Sequence, residues 1–136
     1  MGGVLIVTHG KLGDELIKAA ESIRGELTGV ISISVDETKG VEDLKNEITE
    51  AIKKADSGKG VLILTDLFGG TPSNISLSFL KKGEVEVVTG VNLPMLLKIA
   101  EIREEKKLAD FAESIKDYGK KNIRLATEIL NKKVGI

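Results

Sequence analysis

Apolar residues recur in two rhythms along this chain. Short continuous runs, Val4-Leu5-Ile6-Val7 and Val61-Leu62-Ile63-Leu64, alternate with longer stretches in which apolar side chains return every three or four residues. A continuous run suits a strand covered on both faces, and the wider spacing suits a helix with one buried side. Strand one reads from Gly3 to Thr8. Residues 11–24 then place Leu12, Leu16, Ile17, Ala20 and Ile23 on one helix side. Asp14 and Glu15 lie in its first turn, where the helix dipole favours negative charge, and Gly25 ends it. Val30 to Val35 is strand two, Asp36 to Gly40 a polar turn. Residues 41–55 form a second helix, with Val41, Leu44, Ile48, Ala51 and Ile52 inward.

Strand three runs from Gly60 to Thr65. Thr71-Pro72 predicts a helix start, with a hydroxyl at the N-cap and proline at the first position. That helix is expected to reach the neighbourhood of Lys82. Glu84 to Thr89 is strand four, and Asn92 is expected to cap a helix from Pro94 to Arg103. A charged stretch, Arg103 to Lys107, precedes a long helix from Leu108 to the region of Leu130, interrupted at Gly119. The tail Val134-Gly135-Ile136 is apolar.

This βαβαβαβα order, followed by more helix, predicts an α/β fold. Its sheet is open, mostly parallel and four-stranded, in the order 2-1-3-4, with helices on both faces. No repeat or linker divides residues 1–136, so one domain is the simplest account. The strand order matters for chemistry. Strands one and three become neighbours, and the loops after them leave the sheet at the same rim. His9, the only histidine, follows strand one, and Asp66 follows strand three.

A carboxylate bonded to the Nδ1–H of a neutral imidazole leaves Nε2 free as a nucleophile toward phosphorus. It also stabilises the positive charge that develops on the ring. Gly69, Gly70 and Thr71 are placed to cradle an anion with backbone N–H groups and a hydroxyl. Gly10, with Lys11 and Leu12, opens the first helix and offers further N–H groups. Singly, each signal has a plainer reading: a surface histidine, a loop aspartate, a turn before a capped helix. Their meeting at neighbouring strand ends gives them weight. Asn74 reads as a loop-holding residue, Asn92 as a cap and Thr8 as structural. Phe68 either stands exposed to dock a partner or tucks into the core.

Composition narrows the function classes. Charged residues make up 30% and the net charge is −1, with basic pairs scattered among acids, so nucleic acid is an unsuitable partner. With one histidine and no cysteine, neither a disulfide nor a transition-metal site can be built, and no cofactor is called for. No leader or membrane-length apolar run is present, so the chain reads as cytoplasmic. Aromatics at 3% disfavour a flavin site. The acidic pair of a receiver domain and the Gly-x-Ser-x-Gly elbow of a serine hydrolase are both missing.

Three stretches carry a resemblance: Thr8-His9-Gly10, Asp66-Leu67-Phe68-Gly69-Gly70-Thr71-Pro72-Ser73-Asn74, and Gly90-Val91-Asn92-Leu93-Pro94-Met95. Together they resemble the enzyme IIA component of the mannose-type sugar phosphotransferase system. The resemblance implies a phosphotransferase component with a transient phosphohistidine at the position of His9. It implies that the group arrives from the histidine phosphocarrier protein and passes to a IIB component, with the membrane reached only through IIC and IID. Asp66 then bonds the histidine, and Thr71 lies near the phosphoryl group. Homodimers are typical of the family, made by exchanging a C-terminal strand that adds a fifth, antiparallel edge strand; here it would come from the region after Lys107. A sister group, the phosphotransfer subunit of dihydroxyacetone kinase, shares the histidine, and a regulatory module controlled by His9 phosphorylation is a third reading.

Overall fold

A computed structural model describes residues 2–102 and 107–133. The elements in chain order are β1 (Gly3–His9), α1 (Leu12–Arg24), β2 (Val30–Val35), α2 (Val41–Ala55), β3 (Val61–Thr65), α3 (Thr71–Leu77), β4 (Val85–Thr89), α4 (Leu93–Ile102), α5 (Leu108–Lys121) and α6 (Ala126–Lys133). The four strands are all parallel and lie in the order β2-β1-β3-β4. The sheet expected from the strand–helix alternation is therefore present. Residues 103–106 of the charged stretch, and the tail Val134-Gly135-Ile136, lie outside the described residues.

β1 explains why the sheet needs helices on both sides. Val4, Leu5, Ile6 and Val7 are all fully buried, and successive side chains point to opposite faces. Val4 and Ile6 join Leu62, Leu64 and Val88 beneath α1, α4 and α5, where Ala20, Leu96, Ile99, Phe111 and Ile115 complete one core. Leu5 and Val7 join Ile33, Val35, Val61 and Ile63 beneath α2 and α3, where Leu44, Ile48 and Ile75 complete the other. Burying each such side chain stabilises by about 1.5–3 kcal/mol before chain entropy is counted.

Several elements depart from the expectation, each for a local reason. α3 stops at Leu77, short of Lys82. The hydroxyls of Ser76 and Ser78 donate to the carbonyls of Pro72 and Ile75, and the chain tightens into three-residue turns at Ser78, Phe79 and Leu80. Lys81 then pairs with Val85 across a turn. The N-cap of α3 is Gly70 rather than Thr71, and no side chain caps that end.

Gly119 does not interrupt the C-terminal helix; it lies inside α5 and is buried. A Cβ there would overlap Met95, so the glycine lets α5 close onto α4. The break comes instead at residues 122–125, between α5 and α6. Leu12, Ile23 and Val41, expected on inward faces, are exposed, because each lies in a terminal turn of its helix.

One close approach sets α1 against the sheet. A Cβ on Gly13 would stand 2.6 Å from Ser32 Oγ and 3.1 Å from Ile6 Cγ2. Its N–H donates to the buried hydroxyl of Thr8 at 2.9 Å. Thr8 thus ties the first turn of α1 to the end of β1.

Candidate active site

β1 and β3 are adjacent, with Val7 opposite Thr65, so their C-terminal ends share one rim. α1 leaves that rim toward one core and α3 toward the other. The chain divides there, and a crevice at such a division is the usual ligand site of an open α/β sheet.

His9 and Asp66 meet at this point. Asp66 Oδ2 accepts two hydrogen bonds from the same residue, His9 N–H at 2.9 Å and His9 Nδ1 at 2.8 Å. Oδ1 accepts the N–H of Leu67 at 3.0 Å. The Asp66 side chain is 9% exposed and that of His9 52%. Burial alone pushes the Asp66 carboxyl up; the bonds from His9 and Leu67 outweigh it and hold the carboxyl below its ordinary value. An ionised carboxylate only accepts hydrogen bonds, so Nδ1 of the neutral ring carries the proton. Nε2 then holds a lone pair, and among the described residues it has no protein partner.

The glycine loop lies against this ring. A Cβ on Gly70 would be 2.9 Å from His9 Cε1 and 3.5 Å from Nε2. Gly69 has φ +91°, the left-handed region that favours glycine. Asn74 closes the loop, donating Nδ2 to Gly69 O at 3.3 Å and its backbone N–H to Gly70 O at 2.9 Å. Among the described residues, the N–H groups of Gly69, Gly70 and Thr71 donate to no acceptor. The Thr71 hydroxyl, exposed and not used as a cap, is equally unengaged.

Of the amides expected at the start of α1, that of Gly10 is engaged elsewhere. That N–H donates to Val35 O at 3.0 Å, and the φ of +52° at Gly10 turns the chain into α1. Among the described residues, the amides of Lys11 and Leu12 at this helix start donate to no acceptor.

Phe68 resolves the choice left open in its sequence: it is 73% exposed in the loop after β3, next to exposed Leu67, and Leu12 at the start of α1 is exposed as well. Asn92 does cap α4, accepting Met95 N–H at 3.2 Å, and also donates to Gly119 O at 3.1 Å. Val91 N–H donates to Thr65 O at 2.9 Å, so the loop after β4 braces the strand that carries Asp66. Sequence reasoning missed the latch from Thr8 to Gly13 and the contact of Gly70 with the ring. Small residues in the first turns of α1 and α3 were the only signal of either.

The site can therefore present a nucleophilic ring nitrogen, a carboxylate behind it and free N–H donors beside it. Residues 3–116 match the family described as "PTS system fructose IIA component" (EIIA-man). The PTS system fructose-specific EIIA component of Bacillus subtilis (strain 168) is 31% identical over 133 residues, covering 97% of this chain and 91% of that protein. The PTS system mannose-specific EIIAB component of Escherichia coli (strain K12) is 36% identical over 103 residues, 75% of this chain, which spans only 32% of that longer protein. In structure, the phosphotransferase system component EIIA from Streptococcus agalactiae superposes with a TM-score of 0.85 at 25% identity, covering 94% of this chain and 99% of that one. By the family match and this likeness along its length, the chain belongs to the mannose-type EIIA family of the sugar phosphotransferase system.

Proposed function

We propose that this chain is a cytoplasmic phosphocarrier of a phosphoenolpyruvate-dependent sugar phosphotransferase system, acting as one domain over residues 1–136. Nε2 of His9 attacks the phosphorus of the phosphorylated histidine phosphocarrier protein. A new N–P bond forms as the donor's N–P bond breaks, and the donor nitrogen keeps the electron pair. The group then leaves His9 for a IIB component by the same exchange. The observation that carries this reading is the 2.8 Å bond from His9 Nδ1 to Asp66 on a half-exposed ring. It leaves the reactive nitrogen unprotonated and open to a second protein.

In this reading Asp66 orients the ring and offsets its positive charge while phosphorus is attached. The N–H groups of Gly69, Gly70 and Thr71 and the Thr71 hydroxyl receive the phosphoryl oxygens. Transfer of this group is mainly positioning and electrostatic stabilisation, so donors already turned toward the anion suffice. Gly10 contributes by the turn it makes, which presents Lys11 and Leu12. Phe68, Leu67 and Leu12 form an apolar rim on which both partner proteins dock in turn. Exposed Ile123, Leu125 and Leu130 at the C-terminal end support a homodimer.

The test is direct. Incubation with labelled phosphoenolpyruvate, enzyme I and the phosphocarrier protein adds one acid-labile, base-stable phosphate per chain, and a IIB protein from the same genome discharges it. Label that persists in His9→Ala refutes the assignment.

A further inference from the structure

Two adjacent glycines in this site are required for different reasons. At Gly69 the backbone conformation is left-handed, and the space where a Cβ would stand is open. Gly70 has φ −83° and ψ 170°, extended backbone that any residue adopts. A Cβ there would nonetheless come within 2.9 Å of His9 Cε1, inside van der Waals contact. Leu67 Cγ would be 3.6 Å away, in ordinary contact. The constraint at position 70 is closeness to the imidazole, not the shape of the chain.

We propose that Gly70 is a positioning residue for His9: its lack of a side chain leaves the room in which the Cε1–Nε2 edge of the ring lies while Asp66 holds Nδ1. Its consequence for rate rests on the phosphoryl-transfer reading above; its geometry does not. The ring is held by its own Cβ and by the bond from Nδ1 to Asp66, and a Cβ at position 70 would push its far edge away from that arrangement. The missing side chain also keeps open the space beside Nε2 in which the new N–P bond forms. A methyl group at this position displaces the ring, weakens the Nδ1 bond and releases the tautomer that the bond enforces.

The experiment compares Gly70→Ala with the double variant His9→Ala/Gly70→Ala, each in the full chain. Because His9 is the only histidine, its two ring nitrogens are read without overlap by 15N NMR of the unphosphorylated, neutral ring. The native protein shows Nδ1 protonated; in Gly70→Ala the Nε2–H tautomer appears. The rate of phosphoryl uptake falls ~100-fold, as expected for a reacting atom misplaced by an ångström or so. Melting temperature drops in Gly70→Ala, but the same substitution made in His9→Ala leaves it unchanged, because the obstacle is gone. If Gly70→Ala fails to fold while the double variant folds, the proposal is supported; if neither folds, it is overturned. An unchanged tautomer with a rate within ~2-fold of native overturns it as well, as does an equal loss of melting temperature with and without the ring. Should the native protein take no label, the functional reading fails, while the NMR and melting comparisons still judge Gly70.

Discussion

Replacing Asp66 by Asn removes one charge and one acceptor while keeping nearly the same shape. In the proposed phosphoryl transfer the ring becomes positive, with the two charge centres about 4 Å apart. A unit pair at that distance contributes about 4 kcal/mol at an effective dielectric of about 20, and about 1 kcal/mol in water. Asp66 is nearly covered but His9 is half exposed, so a value between these limits applies. About 2 kcal/mol corresponds to ~30-fold in rate. The tautomer adds to this. Native Asp66 takes His9 N–H and Nδ1–H on one oxygen and Leu67 N–H on the other. An amide cannot accept on both sides. If its NH2 turns toward His9, the ring proton moves to Nε2 and the nucleophile is lost. We therefore expect Asp66→Asn to slow phosphoryl uptake by at least ~30-fold, measured by rapid quench with the phosphorylated donor. A rate within ~3-fold of native would refute the electrostatic argument.

The same substitution has a stability signature. The Asp66 carboxyl is held below its ordinary value in the folded protein. Between the folded and unfolded values the unfolded chain binds more protons, so stability rises with pH there. The contribution is complete above the unfolded value, near pH 4, and is lost as pH falls through the folded one. Urea unfolding should show native protein more stable than Asp66→Asn by about 1 kcal/mol at neutral pH, with the gap closing in acid. A gap that persists unchanged at low pH contradicts the assignment of Asp66 as the ionised partner.

Two further substitutions separate fold from function. Gly13→Ala gains about 1 kcal/mol of helix propensity but forces a methyl against Ser32 and Ile6, at a cost of about 1–3 kcal/mol. We expect a net loss of about 1 kcal/mol in denaturant unfolding, and no loss would show that α1 stands farther from the sheet. Phe68→Ser should leave stability within about 0.5 kcal/mol and raise the apparent KM for the phosphocarrier protein ~5-fold or more; an unchanged KM removes Phe68 from the docking surface.

The strands were legible because β1 and β3 are buried on both faces, which writes an unbroken apolar run into the chain. Strand order then brought His9 and Asp66 together from positions 57 apart. Helix ends were less legible. Residues 76–82 look like a continuing helix until the hydroxyls of Ser76 and Ser78 take backbone carbonyls that the pattern cannot assign. Gly119 has the composition of a break and the environment of a tight packing contact with Met95. Thr71 looks like a cap, yet Gly70 takes that place and leaves the hydroxyl free. The occupied amide of Gly10 and the nearness of Gly70 to the ring are matters of a few tenths of an ångström between distant segments. No local pattern encodes them.

β1 lends its odd-numbered side chains to one layer of helices and its even-numbered ones to the other. Both layers grip the same central ribbon, so a change in one bears on the strand against which the other packs. The imidazole grows from the last residue of that ribbon. In the phosphocarrier reading proposed above, the cargo rides on a strand buried on both faces, and the exposed loop tip is what each partner meets.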